Sequence, residues 1–290
     1  MKDSRLSGLV AIDKTPGPTS HDIVQQVRRK YSCRAGHAGT LDPFASGLLV
    51  VLLGQATRLA RFFQATDKLY RATIKLGETT ETYDVEGSVK VKSPVPHLSK
   101  SEIEDSIKTL TGVIQQIPPM FSAVRVNGER LYRMARRGET VPREPRTIKI
   151  YSVQLIEKSD KFLKLEIHCS AGTYVRTFAH DLGQILKCGA HLRELRRIRS
   201  GSLKVSDAVN LEGLTSPPGP GFINLHMLLP QLPRIDLDAE KSKKILHGNP
   251  VKVTVEKGGN CRLFSQDHLI AIAAVEEGLA RPSLVFKKIE

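Results

Sequence analysis

The chain has 290 residues, with 44 Lys or Arg against 30 Asp or Glu and a formal net charge of +14 at pH 7. Its 40% apolar and 26% charged residues are typical of a globular protein and exclude wholesale disorder. No stretch approaches the roughly 18 uninterrupted apolar residues that a membrane-spanning helix needs, and the N-terminus lacks the apolar core of a secretory signal. We therefore expect a soluble, intracellular protein whose positive charge favours a polyanionic partner, nucleic acid before a membrane surface.

The first half of the sequence predicts one helix and two buried segments. A helix is expected over about 20–30, capped by Thr19 or Ser20, because apolar residues recur on one face. The apolar run 47–53 fits either a buried strand or a buried helix. Strict alternation of apolar and polar residues over 70–76 predicts a half-buried strand.

The second half predicts a further helix, a strand and a C-terminal β module. Ser99 and Glu102 form a capping box ahead of an amphipathic helix. Residues 163–169 alternate as a strand that leads into another helix. Prolines and glycines over 215–221 make the strongest break in the chain, and short β-like runs separated by turn residues follow beyond about Pro233.

Two segments carry concentrated positive charge. Residues 125–149 hold eight basic and three acidic side chains with little apolar periodicity, which indicates an exposed insertion. Residues 187–204 hold six basic side chains and one acid, interleaved with Leu192, Leu195 and Ile198. We interpret both segments as basic surfaces that contact a phosphate backbone.

No metal, disulfide or nucleotide site is indicated. The four cysteines, Cys33, Cys169, Cys188 and Cys261, are widely separated and form no C-x-x-C pair, so we expect them to be reduced and structural. The Gly-rich loop from Gly36 lacks both the phosphate-loop and the dinucleotide-binding patterns. We expect no cofactor and no metal.

Three side chains stand out as candidates for chemistry, each with an ordinary alternative. Asp42 lies between Leu41 and Pro43, an apolar setting in which a carboxylate is hard to ionise without a cationic partner; the alternative is a turn aspartate that caps a helix. Tyr70 is by default a core strand aromatic. Arg176, at a strand-to-helix junction, is either a cleft residue or a solvated surface arginine.

Residues 36–49, G-H-A-G-T-L-D-P-F-A-S-G-L-L, resemble the signature G-H-x-G-[TA]-L-D-P-x-A-[ST]-G-[VLM]-L of TruB-type pseudouridine synthases. The fit is long, nearly gapless and highly specific. The resemblance continues in residues 13–20, 68–72, 77–84, 118–124, 126–132, 172–177 and 189–192. It spans nearly all of the first 230 residues, whereas the last 60 match more weakly, as a PUA-like RNA-binding module.

The resemblance implies an α+β fold with a mainly antiparallel central sheet and a small β-rich PUA-like C-terminal domain. The expected boundaries are 1–232 for the catalytic domain, with the RNA-clamping insertion at 125–149, and 233–290 for the C-terminal domain. The implied activity is isomerisation of uridine to pseudouridine at position 55 in the T-loop of tRNA, with neither cofactor nor metal.

The resemblance also implies roles for residues around the target base. Asp42 corresponds to the catalytic aspartate, which attacks the flipped uridine at the sugar C1′ or at the base. Tyr70 corresponds to the aromatic residue that stacks on the base and can take the C5 proton. Arg176 corresponds to the arginine that pairs with the aspartate and keeps it ionised. His37 occupies the position that fills the space vacated in the T-loop when the base is extruded.

Other residues are assigned to the RNA interface in the same way. Leu195 corresponds to an apolar wall of the pocket, Tyr174 to a residue that supports the pocket from behind, and Asp84 to an aspartate that contacts the RNA site. Within the insertion, the expected RNA-binding side chains are Arg130, Arg136 and Arg137.

Relatives that modify ribosomal RNA with a guide RNA inside a ribonucleoprotein lack the insertion, which is present and basic here. The sequence therefore favours a monomeric, cytoplasmic enzyme that acts on the tRNA T-arm without guide RNA, protein partner or membrane. The alternative is a non-catalytic RNA-binding or RNA-folding protein that uses the same basic surfaces. The presence of Asp42, Tyr70 and Arg176 together argues against it, because binding alone requires no buried carboxylate.

Overall fold

The computed structural model describes residues 6–254 and 258–286. Its strands are β1 (Gly8–Lys14), β2 (Ala35–His37), β3 (Ser46–Leu53), β4 (Lys68–Leu76), β5 (Glu78–Thr80), β6 (Val89–Lys92), β7 (Gly112–Gln116), β8 (Arg125–Val126), β9 (Glu129–Arg130), β10 (Arg146–Lys158), β11 (Phe162–Cys169), β12 (Ala190–Ser200), β13 (Leu203–Lys204), β14 (Phe222–Asn224), β15 (Arg234–Asp236), β16 (Val251–Lys252), β17 (Gly259–Ser265), β18 (His268–Glu276) and β19 (Leu279–Val285). Its α-helices are α1 (Ser20–Tyr31), α2 (Ala60–Gln64), α3 (Lys100–Thr109), α4 (Leu131–Arg136), α5 (Val175–Ile185) and α6 (Ala239–Leu246).

A central sheet of ten strands organises the described part of the chain. Its order is β14-β1-β3-β12-β4-β11-β10-β7, with β2 attached to β3 and β13 to β12. Neighbouring strands are antiparallel except β3 and β12, where Ser46 and Gly47 pair in parallel with Arg196 and Arg197. The predicted α+β class with a mainly antiparallel sheet is therefore confirmed.

Several predicted elements are present with their expected caps. Helix α1 begins after Thr19, which forms a capping box with Asp22, and α3 begins after Ser99, which does the same with Glu102. The strands predicted over 70–76 and 163–169 correspond to β4 and β11.

The apolar run 47–53 is a strand, and its sequence does not alternate because both of its faces are buried. Leu49, Val51 and Leu53 belong to the core beneath the helices. Leu48, Val50 and Leu52 belong to a second core on the opposite face of the sheet. A strand covered on both sides has no position for a polar residue, which is why the pattern alone left its type open.

The first core packs helices against the sheet and lies under the candidate site. Helix α1 contributes Ile23 and Val27, and α5 contributes Phe178 and Leu182, all fully or almost fully buried. The second core joins the sheet to the C-terminal β domain, whose Phe264 and other apolar residues pack in the same cluster as Leu48 and its neighbours.

The C-terminal β domain is a five-stranded sheet of order β15-β17-β18-β19-β16. The β-rich module expected beyond Pro233 is present, while Val255, at the end of one predicted run, lies outside the described residues. The break over 215–221 does not end the catalytic sheet, because β14 follows it and pairs with β1. The exact boundary between 232 and 233, and the PUA-like character of the module, remain predictions.

The two basic segments differ from expectation. The insertion forms the hairpin β8–β9 and helix α4, but from Arg146 onward the chain belongs to β10 of the central sheet, so the independent insertion is shorter than 125–149. Residues 190–200 are the central strand β12.

Three of the four arginines of β12 are paired or buried within the protein, so the second basic surface is smaller than predicted and is limited to the exposed Lys187, Arg193 and Lys204. Arg197 is 2% exposed. Arg196 pairs with Asp13 at 2.7 Å, and Arg199 pairs with Asp67 at 2.9 Å. These three arginines therefore offer little free positive charge to a polyanion, and phosphate contact by the exposed basic residues of this segment stays a prediction.

Among the described residues, no disulfide joins the four cysteines, all of which are buried. Within the same part of the chain, no helix has the length and apolar character required to cross a bilayer.

Candidate active site

Asp42 lies in the loop between β2 and β3, and buried contacts fix the backbone of this loop on both sides of it. The Lys14 ammonium, on a fully buried side chain, donates hydrogen bonds to the carbonyls of Pro43 at 3.0 Å and Ala45 at 2.6 Å. The Ser20 hydroxyl exchanges hydrogen bonds with the Leu41 backbone, accepting from its N–H at 2.8 Å and donating to its carbonyl at 2.9 Å. A strand end and a helix start therefore hold the residues that flank Asp42.

Arg176, in the first turn of α5, makes a two-point ion pair with Asp42. Its Nε lies 3.0 Å from Asp42 Oδ2, and its Nη2 donates to Asp42 Oδ1 at 3.3 Å. The Arg176 side chain is 6% exposed, whereas that of Asp42 is 32% exposed. The carboxylate thus keeps an open side toward solvent while the guanidinium is enclosed, as required of a group that meets a substrate.

The enclosed guanidinium has further partners that orient it. Its Nη2 donates to the Phe121 carbonyl at 2.8 Å and its Nη1 to the Thr82 carbonyl at 3.2 Å. Nη1 also lies 3.3 Å from Asp84 Oδ2. Planar contacts on three sides leave the arginine little freedom to rotate away from Asp42.

Asp84 lies in the same cluster of charges as Asp42 and Arg176. Its side chain is 4% exposed and faces Arg176, and it also accepts from the Glu86 N–H at 3.0 Å. We therefore interpret Asp84 as a positioning residue for Arg176, and its contact with the RNA stays a prediction.

The electrostatic environment of Asp42 raises the pKa of its carboxyl above the ordinary value. Burial is the largest cause, and the neighbouring Asp84 charge acts in the same direction. Arg176 and Lys14 lower the pKa and offset part of this effect. Arg176 therefore supports ionisation of Asp42, as the sequence suggested, but burial outweighs it.

Tyr70 and Leu195 lie on adjacent central strands. Tyr70, on β4, is 9% exposed and its cross-strand partner on β12 is Arg197. Leu195, two residues before Arg197 and 8% exposed, pairs with Ala72. Burial raises the pKa of the Tyr70 phenol, and the Asp42 charge adds to this, which places the phenol within the electrostatic field of the carboxylate.

His37 and Tyr174 border the site. His37 ends β2, and its Nδ1 is buried without a hydrogen-bond partner in the described structure. Burial and the Arg197 charge lower the pKa of His37, so the neutral ring is favoured. The Tyr174 backbone exchanges two hydrogen bonds with the Gln116 amide, at 2.8 and 3.0 Å, immediately before α5. This contact fixes the helix end that carries Arg176.

The insertion presents some of its arginines to solvent and pairs others. The Arg130 and Arg136 guanidinium groups lie over the Tyr132 ring at 6.0 and 5.6 Å from its centroid. Arg137, by contrast, forms ion pairs with Glu129 at 2.6 Å and Glu139 at 2.7 Å. Arg137 is therefore less available to a phosphate than the other two residues.

Three residues with clear structural roles were not selected from the residue pattern: Lys14, Ser20 and Arg197. Lys14 carried a signal, since it is a lysine at the end of an otherwise apolar strand. The sequence pattern indicates Ser20 only as a helix cap and Arg197 only as part of a basic surface. Their roles depend on loops that are distant in sequence.

Comparison with known proteins assigns the family. Residues 27–175 match the model of the TruB family pseudouridylate synthase N-terminal domain, and residues 176–217 match that of the tRNA pseudouridylate synthase B C-terminal domain. The chain belongs to the TruB family. As a pseudouridine synthase of this family, it is an isomerase that converts uridine into pseudouridine.

Similar proteins cover nearly the whole chain. It is 38% identical to a tRNA pseudouridine synthase B from Syntrophotalea carbinolica, over 96% of this chain and 95% of that one. It is 40% identical to a tRNA pseudouridine synthase B from Haemophilus influenzae, over 96% and 94%. The fold is similar to a chain in a crystal structure of a Cbf5-Nop10-Gar1 complex, with a TM-score of 0.73, 25% identity, and coverage of 97% of this chain and 84% of that one.

Proposed function

We propose that this TruB family member isomerises uridine to pseudouridine at position 55 in the T-loop of tRNA. The observation that carries the proposal is the two-point pairing of Asp42 with the enclosed guanidinium of Arg176, beside Tyr70. The names of the relatives from Syntrophotalea carbinolica and Haemophilus influenzae, tRNA pseudouridine synthase B, support tRNA as the substrate.

In this proposal Asp42 is the catalytic carboxylate. It attacks the flipped nucleotide, at the sugar C1′ or at the base, and the bond between N1 and C1′ breaks. The freed uracil rotates and rejoins C1′ through C5, and the bond that the carboxylate formed breaks, so that Asp42 is released as the free carboxylate. The C5 proton then passes to Tyr70, the electrons of the C–H bond restore the C5–C6 double bond, and N1 gains a proton. The product is an isomer of the substrate, so the reaction needs no net oxidant or reductant.

The target base must leave its stack to reach Asp42, at a cost of about a few kcal/mol. We assign His37 to the space that the base vacates, because burial favours its neutral ring and a neutral ring stacks without bringing a charge among the bases. Leu195 forms an apolar wall of the pocket, and Tyr174 supports the start of α5 behind it.

Binding of the T-arm depends on phosphate contacts from the insertion. We assign these contacts to Arg130 and Arg136, with a smaller contribution from Arg137 because of its two carboxylate partners. We further propose that the enzyme acts as a cytoplasmic monomer, without guide RNA or protein partner.

The decisive experiment uses an unmodified tRNA transcript and the purified protein alone. Wild-type protein should form pseudouridine at position 55, detected by carbodiimide adduct formation and primer extension, while Asp42→Asn should bind the tRNA and form none. Normal pseudouridine formation by the variant would refute the role of Asp42.

The same assay tests the alternative of a non-catalytic RNA-binding protein. That alternative predicts binding but no pseudouridine from the wild type under any condition. A wild-type reaction that needs an added guide RNA or protein would contradict the proposal of a stand-alone enzyme. Transcripts with cytidine at position 55 provide the control for the modified site.

A further inference from the structure

Arg197 is the largest of the fully buried side chains in the described structure. Its Nε donates to the Leu48 carbonyl at 2.7 Å, and its Nη2 donates to the Gly39 carbonyl at 3.0 Å. Nη1 has a longer contact, 3.4 Å, with the Thr40 carbonyl. The guanidinium thus lies beneath the residues that immediately precede Asp42.

This positive charge has no carboxylate partner among the described residues, whereas Arg176, Arg196 and Arg199 all form ion pairs. Burying an unpaired charge is costly, even when carbonyl oxygens satisfy its N–H groups. The three guanidinium nitrogens bond three separate carbonyls, but these neutral oxygens provide no counter-ion. The charge of Arg197 is therefore available to stabilise a nearby anion.

The register of the sheet places Arg197 opposite Tyr70. Tyr70 and Arg197 are directly paired between β4 and β12, so their side chains leave the sheet on the same face. The charged and titratable groups that act on the phenol are Arg197 from β12, Cys169 from the end of β11 and Asp42 from the catalytic loop. Arg197 is the cation of this set.

We propose that Arg197 is a positioning residue that stabilises the phenolate of Tyr70, so that Tyr70 serves as the base for the C5 proton. The inference rests on the proposed function and deepens it, because it assigns the charge that keeps a fraction of the phenol ionised in a buried pocket. In the step concerned, C5 gives its proton to the phenolate oxygen, the C–H electrons form the C5–C6 double bond, and N1 is protonated.

The effects on the phenol have a definite sign. Burial and the Asp42 charge raise the pKa of Tyr70, while the charge and hydrogen bonding of Arg197 lower it. Removing the Arg197 charge should raise this pKa further and reduce the phenolate fraction at neutral pH. Because Arg197 is 2% exposed, its removal should leave RNA affinity unchanged.

The experiment compares Arg197→Gln, which keeps hydrogen-bond donors but loses the charge, with Arg197→Lys, which keeps the charge. Single-turnover rates on the tRNA transcript are measured as a function of pH. The glutamine variant should lose about tenfold or more in kcat at neutral pH, since one unit of pKa changes the phenolate fraction tenfold. Its alkaline rise in rate should move to higher pH, and lysine should largely restore the wild-type profile with KM unchanged.

A double variant with Tyr70→Phe tests the route of the effect. If Arg197 acts through the phenol, Arg197→Gln should cause no further loss once Tyr70 is phenylalanine. The matched control is Arg71→Met, which removes an arginine adjacent to Tyr70 that is 57% exposed and paired with Glu166, and it should retain the wild-type profile.

The outcomes separate this inference from the proposed function. Equal losses for glutamine and lysine with an unshifted profile, or a full additional loss in the Tyr70→Phe background, would overturn the role of Arg197. A Tyr70→Phe protein with normal activity, or a wild type that forms no pseudouridine, would instead refute the proposed function. Should the glutamine variant fold poorly, an unchanged pH profile for Arg197→Lys supports the inference and a shifted one overturns it.

Discussion

At the residue scale, the site consists of charges that are balanced against burial. Asp42 and Asp84 share Arg176, and Lys14 lies close enough to affect Asp42. Burial makes the Asp42 carboxylate costly to ionise, and the Arg176 guanidinium limits that cost. Asp42, with its partly open side chain, is the member of this group that is free to react.

The pH dependence of activity should reflect this balance. In the proposed mechanism the Asp42 carboxylate is the reacting group, so the rate should fall as the pH drops through a pKa above the ordinary aspartate value. Asp84→Asn removes a charge that raises this pKa, so the acidic limb should move to lower pH. Arg176→Gln removes a charge that lowers it, so the limb should move to higher pH.

Single-turnover rates across the acidic range test this pair of variants. Shifts in the same direction for both would contradict the proposed charge balance. Asp13→Asn serves as a control, because Asp13 pairs with Arg196, and this substitution should leave the acidic limb at the wild-type pH.

At the element scale, α1 has two separate tasks at its first residues. Thr19 caps the helix through Asp22, while the Ser20 hydroxyl holds the Leu41 backbone beside the catalytic aspartate. Two adjacent residues therefore have separate roles: Thr19 stabilises the helix, and Ser20 positions the loop.

Alanine substitutions should reveal this division. Thr19→Ala should cost about 1 kcal/mol of stability, the usual value for a lost cap, with kcat unchanged. Ser20→Ala leaves a buried N–H and carbonyl unpaired, at a cost of about 1–3 kcal/mol, and should also lower kcat by roughly tenfold because a small displacement of the catalytic group is costly. Thermal unfolding and single-turnover rates check both, and equal kcat values would exclude a role for Ser20 in the loop.

The insertion is the element on which RNA affinity should depend. Arg130→Gln and Arg136→Gln should each weaken tRNA binding and reduce the slope of log affinity against log salt by about 0.7–0.9, the value for one phosphate contact. Arg137→Gln should have a smaller effect, because Glu129 and Glu139 already occupy its guanidinium. Binding titrations at several salt concentrations compare the three variants. A larger loss of tRNA affinity for Arg137→Gln than for the other two would contradict the prediction.

At the scale of the whole molecule, the central sheet is buried on both faces around β3. Helices cover one face, and the C-terminal β domain covers the other through Phe264, Phe286 and their neighbours. The two domains therefore share this second core, although each also has a core of its own, one beneath the helices and one within the C-terminal β domain.

We expect the two domains to unfold together. Phe264, 1% exposed in the shared core, should cost about 3–5 kcal/mol when replaced by alanine, the usual range for a buried aromatic residue. Calorimetry should show a single unfolding transition, whose midpoint temperature is lower in the Phe264→Ala variant than in the wild type. Two separate unfolding transitions, of which only one shifts in temperature in the Phe264→Ala variant, would contradict a shared core. Phe162→Ala, at a half-buried strand end outside that core, should have a smaller effect.

Local patterns in the sequence predicted α1, α3, β4 and β11, because caps and apolar periodicity are properties of neighbouring residues. The family signature around Asp42 indicated the fold class and the activity. The type of the 47–53 segment remained open, since burial on both faces removes the alternation that identifies a strand.

Only the tertiary structure determined which charged side chains are buried and which form ion pairs. The sequence shows that 187–204 is basic, but not that Arg197 is buried beneath the catalytic loop or that Arg196 and Arg199 pair with distant aspartates. Likewise, it places Asp84 in a motif without showing that the residue faces Arg176. Such pairings form between residues far apart in the chain, and their free energy depends on burial and distance, which the order of residues does not contain.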